Sequence, residues 1–285
     1  MWPFHTWLPD AHTEAPTIGS VLLAGDHAED GHVRLHPDRA ADPADGGARR
    51  YAPWIGLPGG DRRSSTRALA CLAQKDLKRL IAFSSVGHMG FVMLGIATLT
   101  TIGINAAIFG MVAHGVITGM LFFCVGSIYD RYHTREIAEI GGGMSQQMPK
   151  LAGIFAFVRD RVARAAGPRR VLGRGHGAAL VVQPERRARA CRRRPVPRRS
   201  WIVGGIGTIL TAGYFLWMLQ RVNMGTMPER WKEHAFRDVL TVEWVAWVPL
   251  LVAIVVLGSD PRLIFGVTDE AVGVDRARAG SDRRR

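Results

Sequence analysis

An all-α, polytopic bundle of transmembrane helices, truncated and interrupted, is the fold class this sequence predicts. Leu80–Thr101 and Ile104–Tyr129 carry no Asp, Glu, Lys or Arg. Each is long enough to cross a hydrocarbon core of roughly 30 Å. Both are rich in Gly, Ala, Ser and Thr, as closely packed membrane helices are. Trp201–Gln220 and Val242–Gly258 read as two further spans.

The orientation follows from the basic residues that flank the spans. Lys75, Lys78 and Arg79 precede the first clear span, and Arg131, Arg135 and Lys150 follow the second. The link Thr100–Asn105 is uncharged. The two spans therefore read as a hairpin with its tight turn outside and its basic ends in the cytoplasm. Arg221, Arg230, Lys232 and Arg237 place the link between the last two spans on the cytoplasmic side too.

The average composition hides this pattern. The 285 residues carry a net charge of +13, and the mean hydropathy is only slightly positive. Lysine is confined to Lys75, Lys78, Lys150 and Lys232 against 33 arginines, whereas a nucleic-acid surface ordinarily mixes both. A soluble, basic RNA-binding protein would explain the charge but not the charge-free spans. Cys71, Cys124 and Cys191 have neither metal nor redox spacing. Met1–Pro9 is not a signal peptide.

Three stretches do not fit: Asp26–Arg50, Pro58–Arg67 and Arg159–Ser200, the last with 14 arginines and no lysine. They show no helical or strand periodicity, and none can lie in lipid at a few kcal/mol per arginine. The chain thus divides into 1–25 (a loop and the start of a membrane helix), 26–67 (misfit), 68–158 (membrane helices and a cytoplasmic link), 159–200 (misfit), 201–258 (two membrane helices) and a tail, 259–285.

Two motifs carry a family resemblance. Trp2-Pro-Phe-His-Thr-Trp-Leu-Pro-Asp-Ala-His-Thr-Glu-Ala-Pro16 and Gln74-Lys-Asp-Leu-Lys-Arg-Leu-Ile-Ala-Phe-Ser-Ser-Val-Gly-His-Met-Gly90 resemble signatures of the antiporter-like subunits of NADH–quinone oxidoreductase, respiratory complex I. Ala113-His-Gly115 and Tyr129-Asp-Arg-Tyr-His-Thr-Arg135 resemble its M-type branch. The resemblance implies the stretch from a broken seventh helix to the fourteenth, with the first six absent. It implies proton translocation coupled to electron transfer from NADH to quinone, in the bacterial inner (plasma) membrane. No cofactor is expected on this chain: NADH, quinone, FMN and iron–sulfur clusters belong to partner subunits. The implied partners are other membrane subunits of complex I and the lipid bilayer, with no nucleic acid. A sodium/proton antiporter subunit of the multi-subunit type shares the motifs, and a product without function is a further alternative.

The same resemblance explains the misfit stretches as reading-frame shifts. The family carries a lysine-bearing helix of the form LLKMGTYGFIRIA after the opening loop. Here that place reads Glu29-Asp-Gly-His-Val-Arg-Leu-His-Pro-Asp-Arg39. Codons chosen for these residues and read one base later give KMGTYGFIRI. Gly167-Pro-Arg-Arg-Val-Leu-Gly-Arg-Gly-His-Gly177 treated alike gives GLAGFWGEVM, close to the family's glutamate-bearing twelfth helix. The arginine excess is then CGN codons read out of frame in a GC-rich gene.

Titratable side chains within spans are the candidate functional residues. His88 lies near the middle of its span with Ser84 and Ser85 one turn before it, and His114 near the middle of the next with Thr118 one turn on. A lone membrane histidine is more often structural. Two on neighbouring spans, joined by hydroxyls and water, are parts of a proton wire, because imidazole titrates near neutrality and both donates and accepts. Lys78, at a span entry, is either a snorkelling, orienting lysine or a proton-input residue. His5 follows Pro3 in what resembles a broken helix, where unwound backbone lines a water cavity. Asp10, His12 and Glu14 read as a loop, either solvated or a proton exit. His133 and His234 read as surface, and Gly141–Gly143 as a hinge or loop.

Overall fold

The computed structural model describes residues 7–24, 66–97, 101–166, 198–260 and 263–265, and these are mostly helical. Helices α1 (Leu8–Glu14) and α2 (Thr17–Leu22) are followed by α3 (66–72), α4 (Leu77–Ala97) and α5 (Thr101–Tyr132). Short helices α6 (Ile137–Ile140) and α7 (Met144–Gln147) lead to α8 (Pro149–Ala166), and α9 (Arg198–Val222), α10 (Glu229–Lys232) and α11 (Thr241–Ser259) complete the order. Among the described residues, three helices are long and apolar enough to cross a membrane by length and composition: Leu77–Ile96, Gly103–Tyr132 and Thr241–Ser259. The helix expected over Trp201–Gln220 forms as α9. His5 and most of the misfit stretches, with both frame-shifted segments, lie outside the described residues.

Pro16 divides the first helical segment. Its ring forces the preceding residue out of the helical region, and Ala15 is extended with ψ 147°. Asp10, His12 and Glu14 therefore stand on α1 and not in a loop. Chain direction recovers at Thr17, and α2 runs against α5. Gly126 of α5 receives Thr17 so closely that an added Cβ would lie 2.4 Å from its methyl group, and Gly119 faces Val21. Small residues two turns apart open the seam that lets two backbones approach.

Helices α3 and α4 are separated by a break at residues 73–76. Asp76 accepts hydrogen bonds at Oδ1 from the backbone N–H groups of Lys78 (2.7 Å) and Arg79 (3.0 Å), a side-chain N-cap that starts α4 afresh. The freed backbone pairs elsewhere: Leu77 N–H donates to Arg135 O and Ile137 N–H to Lys75 O, each 2.9 Å. This bridge ties the entry of α4 to the exit of α5.

Two corrections concern the edges of the arginine-rich stretch. Helix α8 does not stop before Arg159 but continues to Ala166, and α9 begins at Arg198. Arginine is costly in lipid yet is a good helix former, so exclusion from the membrane does not end a helix. Leu151, Ala152, Phe155 and Val158 bury one face of α8, and the Arg161 guanidinium lies over the Phe157 ring at 4.8 Å. Pro149 opens α8, and Asp238 caps it from another segment, accepting from Lys150 N–H (3.0 Å) and Leu151 N–H (3.2 Å).

The basic linkers gather at one end of the bundle, as the charge pattern predicts. There Gly141–Gly143 pack on residues 224–228. Gly142 is needed because a Cβ would lie 2.3 Å from the Met224 carbonyl oxygen, while Gly141 and Gly143 have φ of 65° and 87°. Gly142→Ala is expected to cost about 1–3 kcal/mol through backbone displacement, measured as a lowered unfolding midpoint in detergent. An unchanged midpoint would show that the 224–228 turn yields freely.

Candidate proton path

Helices α4 and α5 pack along their lengths and bring the two predicted span histidines together. Their ring centroids are 5.4 Å apart, tilted by 41°. His114 is held by two hydroxyls: its Nε2 shares a 2.8 Å hydrogen bond with Ser85 Oγ of α4, and Thr118 Oγ1, one turn on in α5, lies 3.2 Å from its Nδ1 and 3.3 Å from its Nε2. Ser85, His114 and Thr118 are all buried. His88 Nε2 is buried without a hydrogen-bond partner among the described residues. The Phe215 ring of α9 stacks 6.5 Å from His88.

Ser84, beside Ser85 in sequence, points the group toward α9. Its hydroxyl donates to Ile81 O at 2.7 Å, and it meets the hydroxyl of Tyr214, which also contacts Thr211 and Cys71. Sequence reading missed Tyr214. A tyrosine in an otherwise apolar span was the available signal, since a buried phenol requires a polar partner.

Lys78 is only 3% exposed. Its ammonium does not reach toward water but donates to the carbonyl of Ala15 at the α1–α2 break. Arg135 Nη1 donates to Thr13 O nearby, at 2.9 Å. Two cations, Lys78 of α4 and Arg135 of the link between α5 and α6, thus satisfy the carbonyl-rich end of α1, where the helix dipole favours positive charge. Lys78 sits ten residues before His88, roughly 15 Å along the helix axis, so it marks the end of the bundle and not its middle.

His12 is the second residue the sequence misplaced. It is fully buried, stacks on Phe122 with centroids 4.8 Å apart, and has neither ring nitrogen hydrogen-bonded among the described residues. Asp10 is exposed and pairs with Arg79 at 3.2 Å. His133 and His234 are exposed, as expected.

Glu243 was also missed, because its partner is remote in sequence. Arg131, at the end of α5, clasps it with Nη1–Oε1 and Nη2–Oε2 distances of 2.9 and 2.8 Å. Arg131 further donates to the carbonyls of Ser127, Arg237 and Asp238 at 2.9, 2.7 and 3.0 Å. All five guanidinium donors are therefore used. Ser127 Oγ and Leu240 N–H donate to the carboxylate. This clasp fixes the start of α11, whose apolar window is otherwise 11% buried. The two side chains are 9% and 18% exposed, so removing one partner is costly. Arg131→Ala is expected to destabilise the fold by about 3–5 kcal/mol, with most of the loss recovered when Glu243→Leu is added. A double variant no better than the single one would show that packing, and not the stranded charge, sets the cost.

A multi-pass membrane helix bundle with titratable side chains at the centre of two packed spans is the class these features define. The family model described as NADH:quinone oxidoreductase/Mrp antiporter, TM matches residues 1–39 and 64–162. NADH-quinone oxidoreductase subunit M of Rhodobacter capsulatus is 37% identical over 275 residues, 95% of this chain and 50% of its own length. The chain belongs to this family of antiporter-like membrane subunits, and its similarity is to the M type. It spans about half the length of the curated relatives it matches. Two solved assemblies share the fold. Respiratory complex I from Thermus thermophilus with bound NADH contains a chain matched with a TM-score of 0.76 at 21% identity, over 95% of this chain and 55% of that one. The Mrp complex from Dietzia sp. DQ12-45-1b contains one matched with a TM-score of 0.73 at 17% identity, again over 95% and 55%.

Proposed function

We propose that this chain is the C-terminal part of a proton-translocating membrane subunit, whose transport is coupled to electron transfer from NADH to quinone in partner subunits of a bacterial inner-membrane complex. The observation that carries the reading is His114, buried at mid-bundle, hydrogen-bonded across to Ser85 and along to Thr118, with His88 beside it. Imidazole can take a proton on one nitrogen and release one from the other without moving. Ser85 and Thr118 can reorient to accept or donate in turn. Lys78 and His12 belong to the approach to this pair, Tyr214 extends it toward α9, and His5 is assigned to it from the sequence motif alone.

The proposal includes the reading-frame shifts. The family match skips residues 40–63 and ends at 162, but it takes in Glu29–Arg39 as written, so the frame-shift reading rests on the alternative-frame codons and not on the limits of the match. A version restored to frame would carry the lysine and the glutamate that the given chain lacks. Joined to the N-terminal half of an M-type subunit and placed in a bacterial strain without its own, the restored version is expected to support NADH-driven acidification of inverted membrane vesicles without any sodium requirement. Transport that instead required sodium would favour the antiporter reading. Acidification equal to that of the empty strain would overturn the proposal.

A further inference from the structure

Among the described residues, nothing covers one face of helix α9. Ile206, Ile209, Gly213 and Leu216 recur at intervals of three and four, so they line a single stripe. The three large ones are 49%, 74% and 55% exposed, and an added Cβ at Gly213 would meet nothing within 4 Å. From Ile206 to Leu216 the stripe rises roughly 15 Å, about half of a 30 Å hydrocarbon core. It ends in an open groove lined by Trp217, Gln220, Arg221, Met224 and Gly225. The Arg221 guanidinium lies 4.3 Å over the Trp217 ring, and among the described residues no carboxylate pairs with it. The groove is at the end of the bundle where the basic linkers collect.

We infer that this face binds one anionic phospholipid, its phosphate on Arg221 and an acyl chain along Ile206–Leu216. One leaflet's depth of apolar surface closed by a single planar cation matches an amphiphile with one charged end. Guanidinium binds phosphate oxygens in a two-pronged manner and retains its aromatic stacking while doing so. Tryptophan is at home at the membrane interface. Basic residues on the cytoplasmic side draw anionic lipid to it. The exposed valines of α11 lack such an end, because Arg131 already occupies Glu243 there.

The site is independent of proton transfer, so it is tested by lipid retention. The full chain, purified in detergent, is offered phosphatidylglycerol or phosphatidylcholine with the same acyl chains and examined by native mass spectrometry. Phosphatidylglycerol is expected to be retained about tenfold more strongly, and Arg221→Gln to remove about that factor, the size of one charge-assisted contact. Trp217→Leu, which keeps apolar bulk, is expected to weaken retention as well. Arg237→Gln, which removes an equal charge elsewhere at the same end, is expected to leave it unchanged. Equal retention of both lipids, or undiminished phosphatidylglycerol on Arg221→Gln, overturns the inference. Displacement by inorganic phosphate would overturn it in favour of a free-anion site, and a lipid-free dimer lost in Arg221→Gln would assign the face to a second copy of the chain.

Discussion

His114→Ala, made in the frame-restored subunit within its complex, is expected to lower proton translocation by about two orders of magnitude, the low end of what a positioned acid–base group contributes. Three features of the geometry set this size. The His114 imidazole joins α5 to α4 by hydrogen bonds, with Ser85 at 2.8 Å and Thr118 at 3.2 Å. Alanine cannot bridge that span, and a water chain replacing it must be assembled among apolar side chains. His88, at 5.4 Å, is close enough to hand protons to it through one water, so His88→Ala is expected to act in the same direction. Electron transfer to quinone should fall with translocation if the two are tightly coupled. Ser85→Ala separates mechanism from folding, since it removes a relay hydroxyl without enlarging the core cavity much. The assay is fluorescence quenching in inverted vesicles energised by NADH, with assembly of the complex checked beside it. Translocation unchanged in both histidine variants would leave the pair with a structural role only.

What the sequence made legible was the part carried by local pattern. Charge-free runs located α4, α5 and α9, an apolar run with Glu243 at its start located α11, and a turn's spacing put Ser84 and Ser85 with His88 and Thr118 with His114. Pairings between distant segments were not legible. Nothing near Glu243 in sequence announces Arg131, and nothing near Ala15 announces Lys78, because such partners are chosen by packing. His12 was misplaced because a motif dense in Asp, His and Glu reads as solvated, yet only the exposed face of α1 is. Asp76 is a different case: it precedes an apolar helix as an N-cap does, so the break before α4 was available to a closer reading. The continuation of α8 past Arg159 was missed because lipid cost was taken as a rule about helix formation.

The chain as given is expected not to translocate protons at all, even when it inserts. By the family resemblance, the path needs a lysine on the helix after the opening loop, and its codon here straddles Glu29 and Asp30. It needs a glutamate on the twelfth helix, whose codon straddles Arg174 and Gly175. The residues that stand in their place supply no substitute at those points. Asp26–Arg50 and Arg159–Ser200 also put arginines and aspartates where the family has membrane helices. At about 2.5–3.5 kcal/mol for each such residue at a helix centre, two or three of them equal much of the 5–15 kcal/mol that stabilises an ordinary fold. The His88–His114 pair would survive this, because the two histidines and the hydroxyls of Ser85 and Thr118 lie on α4 and α5. The expected result is therefore a chain with an intact central pair and no route to it or from it. Expressing the given and frame-restored forms side by side, each joined to the same N-terminal half of an M-type subunit, in a strain without the native subunit tests this directly. NADH-driven vesicle acidification should appear with the restored form alone. Equal acidification by the given form would show that neither the lysine nor the glutamate is needed, and the proposed path would have to run through α4 and α5 unaided.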